Sequence, residues 1–171
     1  MKKNSILTLT RVALCAALIM ACSYIVIPIP FSTVPVTAQT LAIALTGLLL
    51  KPREAGSAVV VYILLAAVLG RFTFGPAIGY FVGFLVSAVV ISLIKGQKNN
   101  VLRFFLAAAA AIVITNTLGS LGMMLVAGTP IGTAFFTGFV VFLPGDIVKA
   151  IAAALIAVPV RKALSHTAAL A

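Results

Sequence analysis

Six long runs of apolar residues are the feature that most constrains the fold of this chain. They cover residues 12–27, 34–50, 55–69, 78–94, 104–126 and 139–160. A helix needs about 20 predominantly apolar residues to cross a bilayer; the second and third runs are short for this, which indicates burial among neighbouring helices. Because 63% of the 171 residues are hydrophobic and only 8% are charged, a soluble core could not bury so much apolar surface. The sequence therefore predicts one all-α membrane domain over residues 1–171, a compact bundle of six transmembrane helices.

The basic residues indicate how these helices are oriented. The chain contains 12 Lys and Arg, and all except Arg71 and Lys149 lie before the first run, between the second and third, between the fourth and fifth, or after the sixth. Because cytoplasmic loops carry the excess of Lys and Arg, both termini are predicted to be cytoplasmic. The expected location is the plasma or inner membrane of a prokaryotic-type cell, with the first helix uncleaved. The net charge of +10 then reflects topology, and no nucleic-acid partner is expected.

Asp146 and Lys149 are the only charged residues between positions 135 and 159. A charge at bilayer depth costs roughly 3 kcal/mol even on insertion scales, so it usually marks a ligand, an ion path or a partner. The two side chains lie three positions apart and share a helix face. Two interpretations follow: an internal ion pair that only neutralises itself, or a pair that faces a cavity and binds a ligand.

Other polar residues are predicted to lie on the external side, near this pair. They are Thr37 and Gln39 early in the second run, Arg71 in the following external loop, and Thr115, Asn116 and Ser120 in the fifth run. If they line one cavity, Arg71 and Lys149 supply two positive charges and Asp146 one negative. The remaining positive charge suits a small monoanion that also donates hydrogen bonds, such as a carboxylic acid with an amide-like or urea-like head. The residues themselves do not identify the molecule.

Two rows of small residues recur at every fourth position: Ala13, Ala17 and Ala21 in the first run, and Gly75, Gly79, Gly83 and Ser87 around the start of the fourth. Small residues at this spacing let two helix backbones approach closely. We expect the glycine row to pack inside the bundle. For the alanine row, internal packing and an outward groove for another membrane subunit are equally supported.

Catalytic, metal and cofactor roles are not indicated. Only His166 could act as a histidine base, and it lies in the predicted cytoplasmic tail. Cys15 and Cys22 lie within an apolar run, where a free thiol behaves as a small apolar group. A channel or self-sufficient transporter would more often show inverted repeats or further intramembrane charges. We therefore expect no enzyme, no metal and no cofactor; a substrate-capturing subunit is favoured, with a non-catalytic membrane scaffold as the alternative.

Several stretches of the chain also carry a family resemblance. They are Ile29-Pro30, VPVTAQTL at 34–41, GLLLKPR at 47–53, Tyr62, GPAIGY at 75–80 followed by Gly83-Phe84, and FLPGDIVKA at 142–150. In this order, with six predicted spans, the set is similar to the BioY family, the biotin-specific substrate-binding (S) components of energy-coupling factor (ECF) transporters. The resemblance extends over the whole chain.

The resemblance implies a six-helix bundle that holds biotin near its external face. Asp146 and Lys149 match the motif positions expected to contact the ligand, and the loop around Thr37 and Gln39 would close over it as a lid. The predicted substrate-binding residues are Asp146, Lys149, Arg71, Gln39, Thr37, Asn116, Tyr80 and Gly79.

The resemblance also implies partners. Ala13, Ala17 and Ala21 resemble the surface that docks on a shared transmembrane coupling subunit, and two cytoplasmic ATPases would complete the transporter. The chain has no phosphate-binding glycine loop of its own, so these partners would supply the energy. Because the loop at 70–74 is shorter than is usual in the family, another small carboxylate vitamin or a biotin precursor is the alternative substrate.

Overall fold

A computed structural model describes residues 3–28, 34–72 and 74–169, and its described part is dominated by helices. The helices are α1 (Lys3–Cys22), α2 (Gln39–Leu49), α3 (Pro52–Val68), α4 (Ile78–Ile94), α5 (Val101–Ala127), α6 (Ile131–Gly138) and α7 (Leu143–Ala169). A single 3-10 turn, Val140–Phe142, joins α6 to α7. Ile29, Pro30 and Thr73, and the side chain of His166, lie outside the described part. The all-α prediction is confirmed.

Hydrogen bonds between helix termini define two opposite ends of the bundle. At one end, Thr8 of α1 donates a hydrogen bond to Glu54 of α3 (3.3 Å), and Arg161 of α7 donates to the carbonyl of Gly96, after α4 (3.2 Å). This is called the basic end. At the opposite end, called the cavity end, Arg71 after α3 contacts the carbonyl of Ser23, after α1 (2.5 Å). Successive long helices therefore run in alternating directions between the two ends.

The helices differ in length from the predicted spans. By length and composition, two stretches are long and apolar enough to cross a membrane. They are α5 (Val101–Ala127) and Ile131–Ser165, which contains α6, the 3-10 turn and most of α7; the other apolar helices are shorter. Helix α2 has 11 residues and is thus roughly 16 Å long, about half the thickness of a bilayer core. Its residues 42–48 are all buried, so neighbouring helices rather than lipid surround it, as the shortness of the second run indicates.

Four elements were not predicted. Helix α1 ends at Cys22, and the following Val26–Ile27, predicted as part of the first span, form strand β1. This strand pairs antiparallel with strand β2 (Val36–Thr37). The short helix α6 and the 3-10 turn precede α7 at the cavity end. A two-residue strand pair has no periodicity, so the hydropathy of these segments could not distinguish it from a helix end.

Glycines of α4 allow its backbone to lie directly against α5. A Cβ atom at Gly79 would lie 2.9 Å from the Cα of Gly122, and one at Gly83 would lie 2.9 Å from the Cα of Thr115. One turn further, Ser87 Oγ donates to the carbonyl of Ala111 (3.0 Å). The glycine row is therefore an internal packing surface, as expected, and it fixes one side of the bundle.

Lys95 closes the basic end of the short helix α2. Its ammonium donates hydrogen bonds to the carbonyls of Gly47 (2.9 Å) and Leu50, and Ser92 Oγ also donates to Leu50 (2.5 Å). The last carbonyls of a helix have no partner within the helix, and a buried one is costly unless another group bonds it. Lys95 and Ser92 satisfy this requirement from α4 and the residue after it.

We predict that Gly79→Ala destabilises the bundle, because the new methyl group would overlap the backbone of α5 at Leu118 and Gly122. Overpacking of this kind typically costs about 1–3 kcal/mol. Gly132→Ala in α6 is the matched control, since no atom lies within 4 Å of the added Cβ. Chemical unfolding in detergent measures both. Equal unfolding free energies for the two variants would contradict the proposed close contact.

Candidate substrate-binding site

A cavity of about 280 Å³ lies at the cavity end of the bundle. Ligand sites usually measure roughly 300–1,000 Å³, so this one suits a small molecule. Its polar lining consists of Ser23, Thr37, Gln39, Thr40, Tyr62, Arg71, Tyr80, Asn116 and Lys149. Its apolar lining consists of Val26, Val34, Pro35, Ala77, Phe81, Phe84 and Phe142. Residues separated by more than 100 positions in the chain thus share one space.

Lys149 lines the cavity, and its ammonium makes three hydrogen bonds. They reach Asp146 Oδ1 (2.8 Å), Thr40 Oγ1 (2.9 Å) and the main-chain carbonyl of Thr37 (2.9 Å). An ammonium group has three donors, so all three are in use. The third bond connects α7 to strand β2, which also lines the cavity. The ammonium therefore links the ion pair, helix α2 and strand β2.

Asp146 is almost completely buried behind Lys149, with 2% of its surface exposed. Its Oδ1 accepts from Lys149 (2.8 Å) and Thr40 (3.0 Å), and its Oδ2 accepts from Asn116 Nδ2 (3.1 Å). A buried carboxylate is tolerated when it is paired and its remaining lone pairs accept hydrogen bonds. Helices α2, α5 and α7 each contribute one of these donors.

Asp146 lies outside the lining of the main cavity. The sequence predicts that both members of the pair contact the ligand, but of the two only Lys149 lines the main cavity. Asp146 instead borders a separate void of about 20 Å³. It therefore acts by holding Lys149, Asn116 and Thr40 in place. The pair is bonded internally, as the self-neutralising interpretation requires, and its cation still faces an adjacent cavity, as the ligand interpretation requires.

A second polar group lies where β2 meets α2. Thr37 Oγ1 donates to Gln39 Oε1 (2.8 Å), and Gln39 Nε2 donates to the Tyr62 hydroxyl of α3. Thr37 and Gln39 were predicted to line the site, and both do. Tyr62 and Thr40 were not predicted. Thr40 could have been found from its position three residues after Thr37, and Tyr62 from being a hydroxyl-bearing side chain within an apolar run.

Arg71 lies at the mouth of the cavity. Its Nη2 donates to the carbonyl of Ser23 (2.5 Å), and its guanidinium lies 4.7 Å from the centre of the Tyr24 ring. A guanidinium has five N–H donors, and within the described part of the chain this is its one hydrogen bond. Arg71 has no carboxylate partner there either, so its charge is uncompensated, in contrast to that of Lys149.

Part of the cavity wall is aromatic. The rings of Tyr62 and Phe81 stack with centroids 6.2 Å apart, and those of Tyr80 and Phe142 lie 5.8 Å apart. The Tyr80 hydroxyl donates to the carbonyl of Gly138 (2.6 Å), so Tyr80 is bonded to the end of α6. Such a wall suits the apolar body of a ligand.

Two groups of predicted residues lie elsewhere. Gly79 was predicted to bind substrate, but it does not line the cavity; its position against Gly122 makes it a packing residue. Ala13, Ala17 and Ala21 are all exposed along one face of α1. The alanine row therefore does not pack inside the bundle of this chain.

Comparisons with known proteins place the chain among named transporters. A family model described as the BioY family matches residues 1–166. Biotin transporter BioY2 of Lactococcus lactis subsp. cremoris is 33% identical, over 98% of this chain and 97% of that protein. Biotin transporter BioY of Rhizobium etli is 34% identical, over 86% and 89%. The crystal structure of the S-component for biotin from an ECF-type ABC transporter covers 95% of this chain and 94% of its own, with a TM-score of 0.84 and 25% identity.

We predict that the ion pair behaves as one unit in stability. Lys149→Met leaves Asp146 buried without its cation, and removing one partner of a buried pair typically costs about 3–5 kcal/mol. The double variant Asp146→Asn/Lys149→Met leaves no buried charge, so it should lose less than the sum of the two single losses. Unfolding free energies in detergent measure the cycle, with the exposed Lys162→Met as the control. Simple additivity would contradict a direct interaction.

Proposed function

The chain belongs to the BioY family, and from this membership we propose that it is the substrate-binding component of a biotin uptake transporter. It captures biotin in the cavity and has no catalytic activity of its own. The observation that supports this most directly is the cavity itself, because residues predicted from the sequence to bind a hydrogen-bonding carboxylic acid line a single space of suitable size.

The charges of the site match the chemistry of biotin. Lys149 is neutralised by Asp146, and this leaves Arg71 as the uncompensated charge among the described residues that line the cavity. Biotin carries one carboxylate at the end of an aliphatic chain. We therefore assign the carboxylate to Arg71 at the mouth, where a guanidinium can bind it through two parallel hydrogen bonds.

The uncharged ring of biotin then occupies the deeper part. Its ureido group has two N–H donors and one carbonyl acceptor. Asn116 Nδ2 is bonded to Asp146, so its Oδ1 is available to accept from a ureido N–H. Lys149, Gln39 and Thr37 lie on the same polar side, and the aromatic wall contacts the thioether ring. A few such bonds together with apolar burial can give nanomolar affinity, about −12 kcal/mol.

The strand pair β1–β2 is proposed to act as the lid. Val26 of β1 and Thr37 of β2 both line the cavity, and the hydrogen bond from Lys149 holds β2 against α7. Biotin must enter past these strands, so the Lys149–Thr37 bond breaks during loading and forms again over the bound ligand. The lid and the ion pair are coupled through one ammonium group.

The membrane arrangement belongs to the same proposal. Helices α1 to α5 and α7 are the six transmembrane helices, with both termini and the basic end in the cytoplasm, and the protein lies in the cell membrane. The exposed alanine row on α1 docks on the transmembrane coupling subunit, which works with two cytoplasmic ATPases. Small exposed residues at this spacing favour close contact with another helix.

The first test is equilibrium binding of labelled biotin to the purified chain in detergent. We expect saturation at one molecule per chain, independent of ATP. Competition with a biotin precursor and with other carboxylate vitamins distinguishes the substrates. Binding of another vitamin alone would change the substrate but not the class, and no binding of any of them would favour the scaffold alternative.

We predict that Arg71→Gln weakens biotin binding by about 10- to 100-fold, because a charge-assisted hydrogen bond is worth about 1.5–3 kcal/mol and about 1.4 kcal/mol corresponds to tenfold. Arg53→Gln removes an exposed charge at the opposite end of the bundle and should leave affinity unchanged. Biotin amide, which lacks the carboxylate charge, should bind the wild-type chain and Arg71→Gln equally. An equal loss for both ligands would contradict the assignment of the carboxylate to Arg71.

A further inference from the structure

The turn between α4 and α5, at the basic end, is held by two arginines from different helices. Arg103 Nε of α5 donates to the carbonyl of Ile94 (2.6 Å). Arg161 Nη2 of α7 donates to the carbonyls of Gly96 and Gln97 (3.2 Å each). Gly96 has a φ of +68°, and a Cβ there would lie 2.7 Å from Arg103 Cζ. Both guanidinium groups therefore lie directly against the same turn.

Lys95 adds a third positive charge to this place. Its ammonium bonds the end of α2, as described above, and only 9% of the residue is exposed. Burial, together with the positive charge of Arg161, lowers the pKa of Lys95 to about 8. The three residues Lys95, Arg103 and Arg161 are called the α4–α5–α7 basic cluster.

Within the described part of the chain no carboxylate forms a salt bridge with the cluster, although the charge of Glu54 partly opposes the lowering of the Lys95 pKa. All its hydrogen bonds reach main-chain carbonyls. Glu54, the one acidic residue of the basic end, accepts from Thr8 Oγ1 and from the Lys51 amide instead. The Nη1 atom of Arg161 is buried and bonded to no described group. Within the described part of the chain, the three positive charges are therefore not neutralised by a salt bridge, and a negatively charged ligand would be attracted to them.

The surface next to the cluster is apolar. Leu93 at the end of α4 is 65% exposed, and on α5 Leu102 and Leu106 are 65% and 55% exposed. In the proposed membrane arrangement this surface faces lipid, and the cluster lies where acyl chains give way to headgroups. A phospholipid has a phosphate headgroup that matches the basic cluster and two acyl chains that match the apolar surface.

We propose that the α4–α5–α7 basic cluster is a binding site for the headgroup of an anionic phospholipid in the cytoplasmic leaflet. The inference rests on the membrane orientation in the proposed function. The phosphodiester accepts hydrogen bonds from the free N–H groups of Arg103 and Arg161, whose planar geometry suits phosphate oxygens. Its acyl chains lie along Leu93, Leu102 and Leu106. Basic pockets between transmembrane helices commonly bind such headgroups.

The experiment uses the full chain purified in a neutral detergent. Phosphatidylglycerol or phosphatidylcholine is added at equal concentration, and thermal unfolding and native mass spectrometry are recorded. We expect phosphatidylglycerol to raise the unfolding temperature and to remain bound, and phosphatidylcholine to do neither. Arg103→Gln/Arg161→Gln should abolish both effects. Lys51→Gln/Arg53→Gln removes the same charge from another turn of the basic end and should retain them.

Several outcomes would overturn the proposal. They are equal effects of the two lipids, equal loss in the two double variants, and a full effect from inorganic phosphate alone. If Arg103→Gln/Arg161→Gln fails to fold, Arg103→Lys/Arg161→Lys is tested in its place. This variant keeps the charge but not the planar group, so it should retain part of the effect. Biotin binding is titrated on the same samples. Loss of lipid preference with normal biotin affinity rejects this site alone, whereas absent biotin binding with intact lipid preference rejects only the proposed substrate.

Discussion

The structure depends on keeping the buried carboxylate of Asp146 neutralised. A charge at that depth is tolerated only when every oxygen has a partner, and the partners come from three helices: Thr40 of α2, Asn116 of α5 and Lys149 of α7. The requirement therefore fixes how these helices meet at the cavity end. The cavity lies beside this arrangement, so its polar groups are positioned before any ligand arrives, which lowers the ordering cost of binding.

The same neutralisation determines where an acidic ligand goes. Lys149 contributes little net field because its counterion is 2.8 Å away, whereas Arg71 at the mouth has no such partner in the described residues. The site thus has a charged outer part and a neutral, hydrogen-bonding inner part. Biotin has the same division, with a carboxylate at one end and an uncharged ureido ring at the other. In the proposed function, this match of charges favours one direction of insertion.

The sequence predicted the fold class and most of the polar residues that line the cavity, because long apolar runs and isolated polar residues within them carry strong physical signals. Thr37, Gln39, Arg71, Asn116, Tyr80 and Lys149 all line the cavity. Asp146 and Gly79 do not line it, and the sequence could not reveal this, since sequence spacing gives the face of a helix but not which residue lies in front of another. The strands β1 and β2 and helix α6 escaped prediction because two to eight residues show too little periodicity.

Lys149 bonds the main-chain oxygen at position 37 rather than its side chain. Every amino acid has this main-chain oxygen, so the bond that holds strand β2 does not depend on the residue type at position 37. A substitution at position 37 can therefore change the side chain that faces the ligand without removing the bond between Lys149 and strand β2. Position 149 differs in this respect. A shorter or neutral side chain there would lose both the bond to strand β2 and the ion pair with the Asp146 carboxylate.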